Sequence, residues 1–515
     1  MNIANWLHSR ALLCPDSPAL YRGETLYADY RKFAREACTI AQRLRQDYAL
    51  QPGDRVALYM KNRVEYLSLL YAIWWMGAVA VPINYKLHAK EAAWILDNAQ
   101  ASLLFSDDGM LHAAADLPAA CREVGVDAGI FNTAATGDIE LDAPLSLASD
   151  ALAWLFYTSG TTGRPKGVML THENLVAMSL CYAIDVDDVS ADDAMLYAAP
   201  MSHGAGLYNF VHVRVGAKHV VPQSGGFDSD EILGLGKRLG NVSFFAAPTM
   251  VKRLVQAAKR ANASGEGIKT IVCGGGPMYA ADMVDALDTL GPRFAQIYGQ
   301  GESPMTITAM RRDLIAERSH PKWQARLASV GTAHSCVEVR VVAEDMADVP
   351  AGECGEVIVR GSTVMRGYWR NDDATAQSLV DGWLKTGDIG YLSADGFLTL
   401  TDRSKDVIIS GGSNIYPREV EEVLARHPDV FEAAVVGAPH ADWGEEVVAF
   451  IVAQPGCSID QAALDEWCKS EIASFKKPKR YEFCTELPKN SYGKVLKTEL
   501  RQKLLPITAH LDILC

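Results

Sequence analysis

At 515 residues the chain exceeds what one hydrophobic core serves, and at about 100–200 residues per domain it should fold as roughly three lobes. Its 49% hydrophobic and 22% charged content is that of a globular protein and excludes a disordered or collagen-like chain. A formal charge of −14 opposes a phosphate backbone or an anionic membrane, so no nucleic-acid partner is expected; the one basic cluster, Lys476, Lys477, Lys479 and Arg480, suits a small polyanion or plain solvated surface.

The eleven cysteines are scattered, with no Cys-x-x-Cys pair and nearest neighbours, Cys457 and Cys468, too far apart for zinc-ligand spacing. Reduced, buried thiols in a cytoplasmic protein are the expectation. Residues 1–10 lack a basic stretch followed by an apolar core, so secretion is not expected.

In chain order, the apolar spacing predicts a helix over 30–45 and a strand over 55–59. Residues 66–85 carry no formal charge and, at about 20 positions, are long enough to span a bilayer. Gly77 and Pro82 divide this stretch into an apolar helix over 64–76 and a strand over 78–81, which reads as buried α/β core and excludes integral membrane association. A helix over 90–99 and a strand over 102–105 follow. The alternation resumes with strands over 194–198 and 219–221, a helix over 229–239, a strand over 243–246, a helix over 249–261 and a strand over 270–273. The fold class is therefore α/β, a large N-terminal domain of layered, doubly wound α/β subdomains. After about Pro321 shorter strands, over 338–342, 355–360 and 397–401, separated by Gly, Asp and Pro turns, add a β-rich lobe. A helix over 417–426, strands over 430–436 and 446–453 and a helix over 459–471 form a small α+β C-terminal domain. The division falls at 1–403 and 404–515. No internal repeat or low-complexity segment is present.

The strand-like run 154–158 leads into Ser159-Gly-Thr-Thr-Gly-Arg-Pro-Lys-Gly167. Small residues let backbone N–H groups approach an anion, the hydroxyls add donors, and Arg164 and Lys166 supply charge, so this turn can wrap phosphates. It is not a Walker loop, because Lys166 precedes Gly167 and no Ser or Thr follows a Gly-Lys pair. Four such residues would be an ordinary hairpin turn. The unbroken run Tyr157-Thr-Ser-Gly-Thr-Thr-Gly-Arg-Pro-Lys-Gly-Val168 is far more specific.

With that run the sequence resembles the adenylate-forming superfamily of acyl-CoA synthetases, luciferases and peptide-synthetase adenylation domains. The resemblance covers nearly the whole chain. Its further motifs appear in order: Met201-Ser-His-Gly204, Cys273-Gly-Gly-Gly-Pro277, Tyr298-Gly-Gln-Gly-Glu302, Gly382-Trp-Leu-Lys-Thr-Gly-Asp388, Asp402-Arg-Ser-Lys-Asp406 and Pro488-Lys-Asn-Ser-Tyr-Gly-Lys494. It implies an ATP-dependent carboxylate–CoA ligase: the acid attacks the α-phosphorus of ATP, pyrophosphate leaves, and coenzyme A then takes the acyl group. Such chemistry needs positioning and charge neutralisation more than a nucleophilic side chain.

By this resemblance Thr158, Ser159, Gly160, Thr161, Thr162, Gly163 and Lys166 hold ATP phosphates, and Gly275, Gly276, Pro277, Tyr298, Gly299, Gln300 and Gly301 line the nucleotide. Glu302 binds Mg2+, Asp388 accepts the ribose hydroxyls and Arg403 lies beside it. Lys494 bridges the acid and the α-phosphate, so Lys494, Glu302, Thr158 and Lys166 form the implied catalytic set. Lys405 occupies the hinge about which the mobile C-terminal domain swings between half-reactions. Ser410, Gly411 and Gly412 line the thiol's approach, with Lys476, Lys477 and Arg480 on the CoA phosphates. The acid would sit among His203, Gly204, Gly206, Tyr208, Gly274, Gly275, Gln300 and Met305. The glycines suggest room for an aromatic ring or a medium or long aliphatic chain, His203 contacts or gates the acid or else simply packs, and His212 and Arg214 just beyond it raise the case of an acid with a second polar or anionic group. No acidic residue there suits a substrate amine.

One position departs from the pattern. Gly301 stands where the superfamily has Thr before the Glu, and a hydroxyl from Thr158 or Thr161, or a wider acyl pocket with slower adenylation, is the expected consequence. Loading of a carrier protein and a catalytically weak nucleotide-binding relative are the alternatives. A homodimer is compatible with the resemblance. No Gly-x-Ser-x-Gly elbow, His-Glu-x-x-His helix or complete dinucleotide fingerprint supports another enzyme class.

Overall fold

A computed structural model of the chain describes residues 1–107, 118, 120–126, 141–158, 164–403, 406–410, 413–490 and 494–504, the side chains of 402 and 403 aside. Two large sheets carry the N-terminal body. In the six-stranded sheet the order is Arg122–Gly125, Ala101–Ser106, Arg55–Tyr59, Val79–Ile83, Leu152–Thr158 and Lys166–Thr171. All neighbours are parallel except the last pair, which is antiparallel.

The nine-stranded sheet runs Thr332–Ala333, Ser303–Met310, Phe294–Gln300, Ile268–Cys273, Val242–Ala246, Ala194–Leu196, Lys218–Val221, Pro18–Arg22 and Thr25–Asp29. Its middle is parallel, as the βα alternation requires, but both edges are antiparallel. The N-terminal hairpin Pro18–Arg22 and Thr25–Asp29 escapes a period-based reading because each strand is only five residues long and the outer one buries a single residue, Ala28. An antiparallel five-stranded lobe follows, Val337–Val342, Gly355–Gly361, Trp383–Leu392 and Leu379–Val380, with Leu398–Arg403 also on Trp383–Leu392. Sheet membership changes after Arg403. Ile408–Ser410 already belongs to the C-terminal sheet, with Ser413–Ile415, Gly444–Ala453, Val430–His440 and Arg480–Phe483.

The apolar stretch that could have spanned a membrane is core. Every residue of the helix Glu65–Trp75 and of the strand Val79–Ile83 is buried. A helix apolar all round needs protein on every side, and here it lies within the main core. Its two polar members are satisfied: Arg22 and Arg63 reach the Glu65 carboxylate at 2.9 and 3.0 Å, and Ser68 donates to Glu36 at 3.0 Å. Among the described residues no helix is long and apolar enough to cross a membrane. The cysteines need one correction: Cys38, Cys121, Cys181, Cys273 and Cys468 are buried, but Cys354 and Cys457 are exposed, since both fall in polar turns outside the core.

Polar groups on the six-stranded side fix the loop after the strand Ala194–Leu196. The buried Asn62 donates through Nδ2 to the carbonyls of Tyr197 and Ala199 at 2.9 and 2.8 Å, and its Oδ1 accepts the Met201 N–H at 2.8 Å. Tyr71 donates to Asn209 Oδ1 at 2.9 Å, and Asn209 Nδ2 in turn holds the Gly206 carbonyl at 2.6 Å. The segment 201–208 is thus moored to the neighbouring sheet at both ends. Asn62→Ala removes three buried hydrogen bonds and should cost about 2–4 kcal/mol, at about 1 kcal/mol per bond plus the groups left unpaired. Urea unfolding would measure it, and unchanged midpoints would refute the mooring.

Candidate active site

The phosphate-loop motif begins where the strand Leu152–Thr158 ends and resumes at Lys166, in register with Thr158 across the antiparallel pair. Ser159, Gly160, Thr161, Thr162 and Gly163 lie outside the described residues. The strand carrying Lys166 is clamped by the β-rich lobe: Trp369 N–H donates to the Gly167 carbonyl at 2.7 Å, and Val168 bridges Tyr368. The Lys166 ammonium stands 4.9 Å from the centre of the Tyr368 ring.

Tyr298, Gly299, Gln300, Gly301 and Glu302 form the tip of an antiparallel hairpin between Phe294–Gln300 and Ser303–Met310. From that tip Tyr298 OH and Gln300 Nε2 both donate to Asp388 Oδ2, each at 2.6 Å, and Gln300 also donates to the Thr386 carbonyl at 2.8 Å. Asp388 is only 6% exposed, so its orientation is set by these donors. Arg403 pairs in register with Asp388 through the backbone, which brings both ends of the ribose motif to one place. Glu302 accepts the Tyr368 hydroxyl at 2.7 Å on Oε1. Burial and the Glu302 charge hold the Tyr368 phenol well above its ordinary range, so it stays a donor. Tyr368 carries no motif signal; its role follows from a loop crossing between lobes, which spacing along the chain does not encode.

The place of Gly301 is explained by its neighbour. A Cβ there would lie 2.3 Å from Thr158 Cγ2 and 3.0 Å from Phe156 Cδ1. The Thr158 methyl therefore fills the volume a side chain at 301 would take.

Around the expected acid site the ring of His203 packs on Phe156, centroids 4.4 Å apart. Tyr208 is buried against Tyr182 at 4.8 Å and Phe245 at 6.3 Å, and its hydroxyl has no hydrogen-bond partner among the described residues. Gly204 faces Met305, whose Sδ lies 3.2 Å from a Cβ built there. Met305 itself has φ +60°, a left-handed conformation seldom adopted by long side chains and found at constrained functional sites. The glycines provide less room than their number implies. A Cβ on Gly206 would strike the Met201 carbonyl at 1.8 Å, and one on Gly274 would meet Ile297 Cδ1 at 2.5 Å, so both are glycine because the chain has no space there. Gly275 and Gly276 have wider margins, 3.5 Å to Phe245 and 3.6 Å to Pro248, with Pro277 next in line. Neither His212 nor Arg214 contributes a positive charge: His212 is buried, its pKa pushed down to about 4, with Nδ1–H on the Tyr208 carbonyl at 2.7 Å, while Arg214 is exposed.

At the C-terminal end, Lys494 is exposed where Asn490 and Lys494 close a turn, the Lys494 N–H on Asn490 Oδ1 at 2.9 Å. Lys405, Gly411 and Gly412 lie outside the described residues, and Ser410 pairs with Ser413 and Gly444. Three of the four members of the basic cluster are ion-paired in place. Lys476 pairs with Glu419 at 2.7 Å, Lys477 with Asp465, and Arg480 with Glu482 at 3.0 Å and Glu446 at 3.5 Å.

Comparison with known proteins adds the context of this geometry. A family model described as AMP-binding enzyme matches residues 7–369, and one described as AMP-binding enzyme C-terminal domain matches residues 419–494. A feruloyl-CoA synthase of an Amycolatopsis species is 35% identical over 97% of this chain and 99% of its own. A fatty acid–[acyl-carrier-protein] ligase of Streptomyces coeruleorubidus is 34% identical over 95% of this chain and 94% of its own. The solved o-succinylbenzoate CoA synthetase of Bacillus subtilis, in complex with its acyl-adenylate intermediate, superposes with a TM-score of 0.84 at 31% identity, covering 96% of this chain and 98% of that one.

Two outcomes follow from the site. Gly301→Thr, which restores the expected hydroxyl, should overpack against Thr158 and lower folded-state stability by about 1–3 kcal/mol, measured as a fall in the urea midpoint. Adding Thr158→Ser, which deletes the offending methyl, should recover most of the loss; no recovery would show that the Thr158 contact is not what excludes a side chain at 301.

The second outcome concerns pH. Burial lowers the pKa of His172, His203 and His212 to about 4 each, so the folded chain refuses protons that an unfolded chain takes up near pH 6.5. The share of stability that these three histidines carry should be constant above pH 7 and fall as pH drops from 6.5 toward 4, by up to about 1.4 kcal/mol per pH unit for each. Urea midpoints from pH 7.5 to 4.5 would measure the slope, and His203→Gln should remove about one histidine's share.

Proposed function

This chain belongs to the AMP-binding enzyme family, and from that premise we propose the roles its residues take in the reaction. It is an ATP-dependent acid–thiol ligase of the AMP-forming type. A carboxylate attacks the α-phosphorus of ATP and expels pyrophosphate; the thiol of coenzyme A then attacks the acyl carbon of the adenylate and AMP leaves. The observation that carries the reading is the meeting, at one hairpin tip, of Lys166, Glu302 and Asp388 from three different sheets.

In this reading Asp388, its orientation set by Tyr298 and Gln300, receives the ribose hydroxyls, and Tyr298 lies under the base. Lys166 and the Thr158 hydroxyl attend the phosphates. The Glu302 carboxylate fits Mg2+: it is half-buried, Tyr368 orients it, and one carboxylate suffices for an ion held mostly by phosphate oxygens. Bound there, Mg2+ would neutralise charge on the departing pyrophosphate. Lys494, brought in by the C-terminal domain about a hinge at Lys405, bridges the acid carboxylate and the α-phosphate during the first step.

The acid is proposed to carry an aromatic ring, which the names of the feruloyl-CoA and o-succinylbenzoate relatives support. The flat ring of His203 on Phe156 offers a stacking wall, and the buried Tyr208 hydroxyl, without a partner among the described residues, offers a hydrogen bond to a substituent on the acid's ring. Since His203 is neutral above about pH 5, it acts by shape and hydrogen bonding, not by charge. We place the protein in the cytoplasm, with a homodimer as the assembly that light scattering would test.

A panel of aromatic and aliphatic acids, read as pyrophosphate release with and without CoA, tests the reading. Aromatic acids should give release that CoA accelerates, with acyl-CoA as product. Release that ignores CoA and responds to a carrier protein would instead favour the chemistry named for the Streptomyces relative. Lys494→Ala should abolish adenylation, by about 100-fold or more, while sparing CoA transfer from supplied acyl adenylate; equal loss of both would refute the swinging domain.

A further inference from the structure

Four side chains distant in sequence converge beside the acid site and take no part in the ligase chemistry. Cys181 ends the helix His172–Cys181, and Asp185 lies four residues on, inside the π-helical turn Tyr182–Val186. Facing them, His334 and Cys336 flank the turn that enters the strand Val337–Val342. The Cys181 and Cys336 sulfurs are 2.8 Å apart, and ligand atoms of Cys181, Asp185 and His334 all lie within 4.8 Å of one another.

The histidine discriminates between readings of this cluster. Its side chain is wholly buried, and Nδ1–H donates to Asp185 Oδ2 at 3.3 Å. Ser335 secures the same carboxylate through its N–H at 3.0 Å and its hydroxyl at 2.6 Å. A carboxylate on Nδ1 fixes the tautomer that leaves Nε2 as a lone-pair donor, and among the described residues Nε2 makes no hydrogen bond of ordinary geometry, the Cys181 thiol being the group beside it. A disulfide would employ the two sulfurs and leave that buried nitrogen unsatisfied, and a pair of thiols satisfies it only where Cys181, which lies beside the ring, turns its proton from Cys336 onto Nε2. A cation that accepts both sulfurs and the imidazole satisfies all of them. A carboxylate–imidazole–metal relay of this kind is the usual support of a nitrogen ligand.

We propose that Cys181, Cys336 and His334, with Asp185 orienting the imidazole from its other nitrogen, form a site for one tetrahedral divalent cation of the zinc class, whose fourth position takes a solvent ligand. Two thiols and one imidazole are ligands that suit such an ion and not magnesium or calcium. Binding exchanges the two thiol protons for the metal and releases them to solvent. At Zn–S bonds of about 2.3 Å the sulfurs would part by about 1 Å from their present separation. The site ties the π-helical turn to the entry of the β-rich lobe. Tyr182, the next residue after Cys181, packs on Tyr208 and, at 5.7 Å, on His212, so the metal would stiffen the wall of the acid site without touching substrate.

The test uses the full-length protein, purified under reductant, loaded with zinc and dialysed against metal-free buffer. Elemental analysis should find about one zinc per chain, and cobalt in its place should give the intense thiolate-to-metal absorption of a tetrahedral site. Cys336→Ser and His334→Ala should lose the metal, Cys354→Ser should keep it, and Asp185→Asn should weaken it about 10- to 100-fold. Chelation should lower the melting temperature of the wild type and leave that of Cys336→Ser unchanged. Less than a tenth of an equivalent of zinc together with a cobalt spectrum lacking thiolate absorption would overturn the proposal, as would a Cys181–Cys336 disulfide, seen by mass spectrometry, in protein that takes up no metal. The wild-type cobalt spectrum decides the matter even where a variant fails to fold.

Discussion

The site depends on the β-rich lobe closing across the tips of two sheets that do not otherwise share an edge. Asp388, on a strand of that lobe, is held by Tyr298 and Gln300 of the nine-stranded sheet. Tyr368, on a loop of the same lobe, reaches Glu302 at the same hairpin tip while its backbone bridges Val168 of the six-stranded sheet. Each bond is worth about 1 kcal/mol on its own. Their value lies in register: charged groups carried by three sheets are fixed at one point, so a nucleotide would meet ligands whose orientation has already been set at folding.

Gly301 belongs to the same constraint. In isolation a missing hydroxyl beside the phosphate loop reads as a defect. The structure makes it one half of a size exchange, in which the Thr158 methyl occupies the volume that a Cβ at 301 would claim and Phe156 closes the other side. Phe156 also carries the ring of His203, so the packing that excludes a side chain at 301 is continuous with the wall proposed for the acid. A change at either position is transmitted to the other because the interior has no slack to absorb it.

The fold was legible wherever a signal was local. The helix expected over 30–45 ends one residue later, at Tyr30–Gln46, and the strand Arg55–Tyr59 and the helix Ser229–Leu239 match their expected bounds, because apolar period and caps such as Asp29 and Asp228 are written in adjacent residues. The antiparallel edges were not legible, since pairing direction is decided by partners far along the chain. The same division runs through the site. Lys166, Glu302 and Asp388 stand in motifs that a resemblance recovers. Tyr368, Asn62 and the partnership of Thr158 with Gly301 have no motif, being products of how lobes meet. The cysteines make the point most sharply: spacing argued against metal ligands, yet the fold brings Cys181 within 2.8 Å of Cys336, 155 residues away.

The C-terminal domain meets the body differently from the way the lobes of the body meet one another. Its helix Pro417–Ala425 and strand Val430–His440 contact the N-terminal domain through polar bonds: Tyr279 OH to Glu421 at 3.0 Å, Lys252 Nζ to the Phe431 carbonyl at 2.8 Å and Ala280 N–H to Glu422 at 3.4 Å. Its apolar residues are spent on its own two clusters, on either face of its sheet. Few apolar side chains are therefore exposed when such contacts break, and water can replace each lost hydrogen bond at small net cost. That economy supports a domain able to dock in more than one position, and it gives a physical reason for the lysine proposed for the first half-reaction to be carried there. A lysine embedded in the three-sheet junction would share its rigidity; one on a domain that moves as proposed would leave before the thiol arrives.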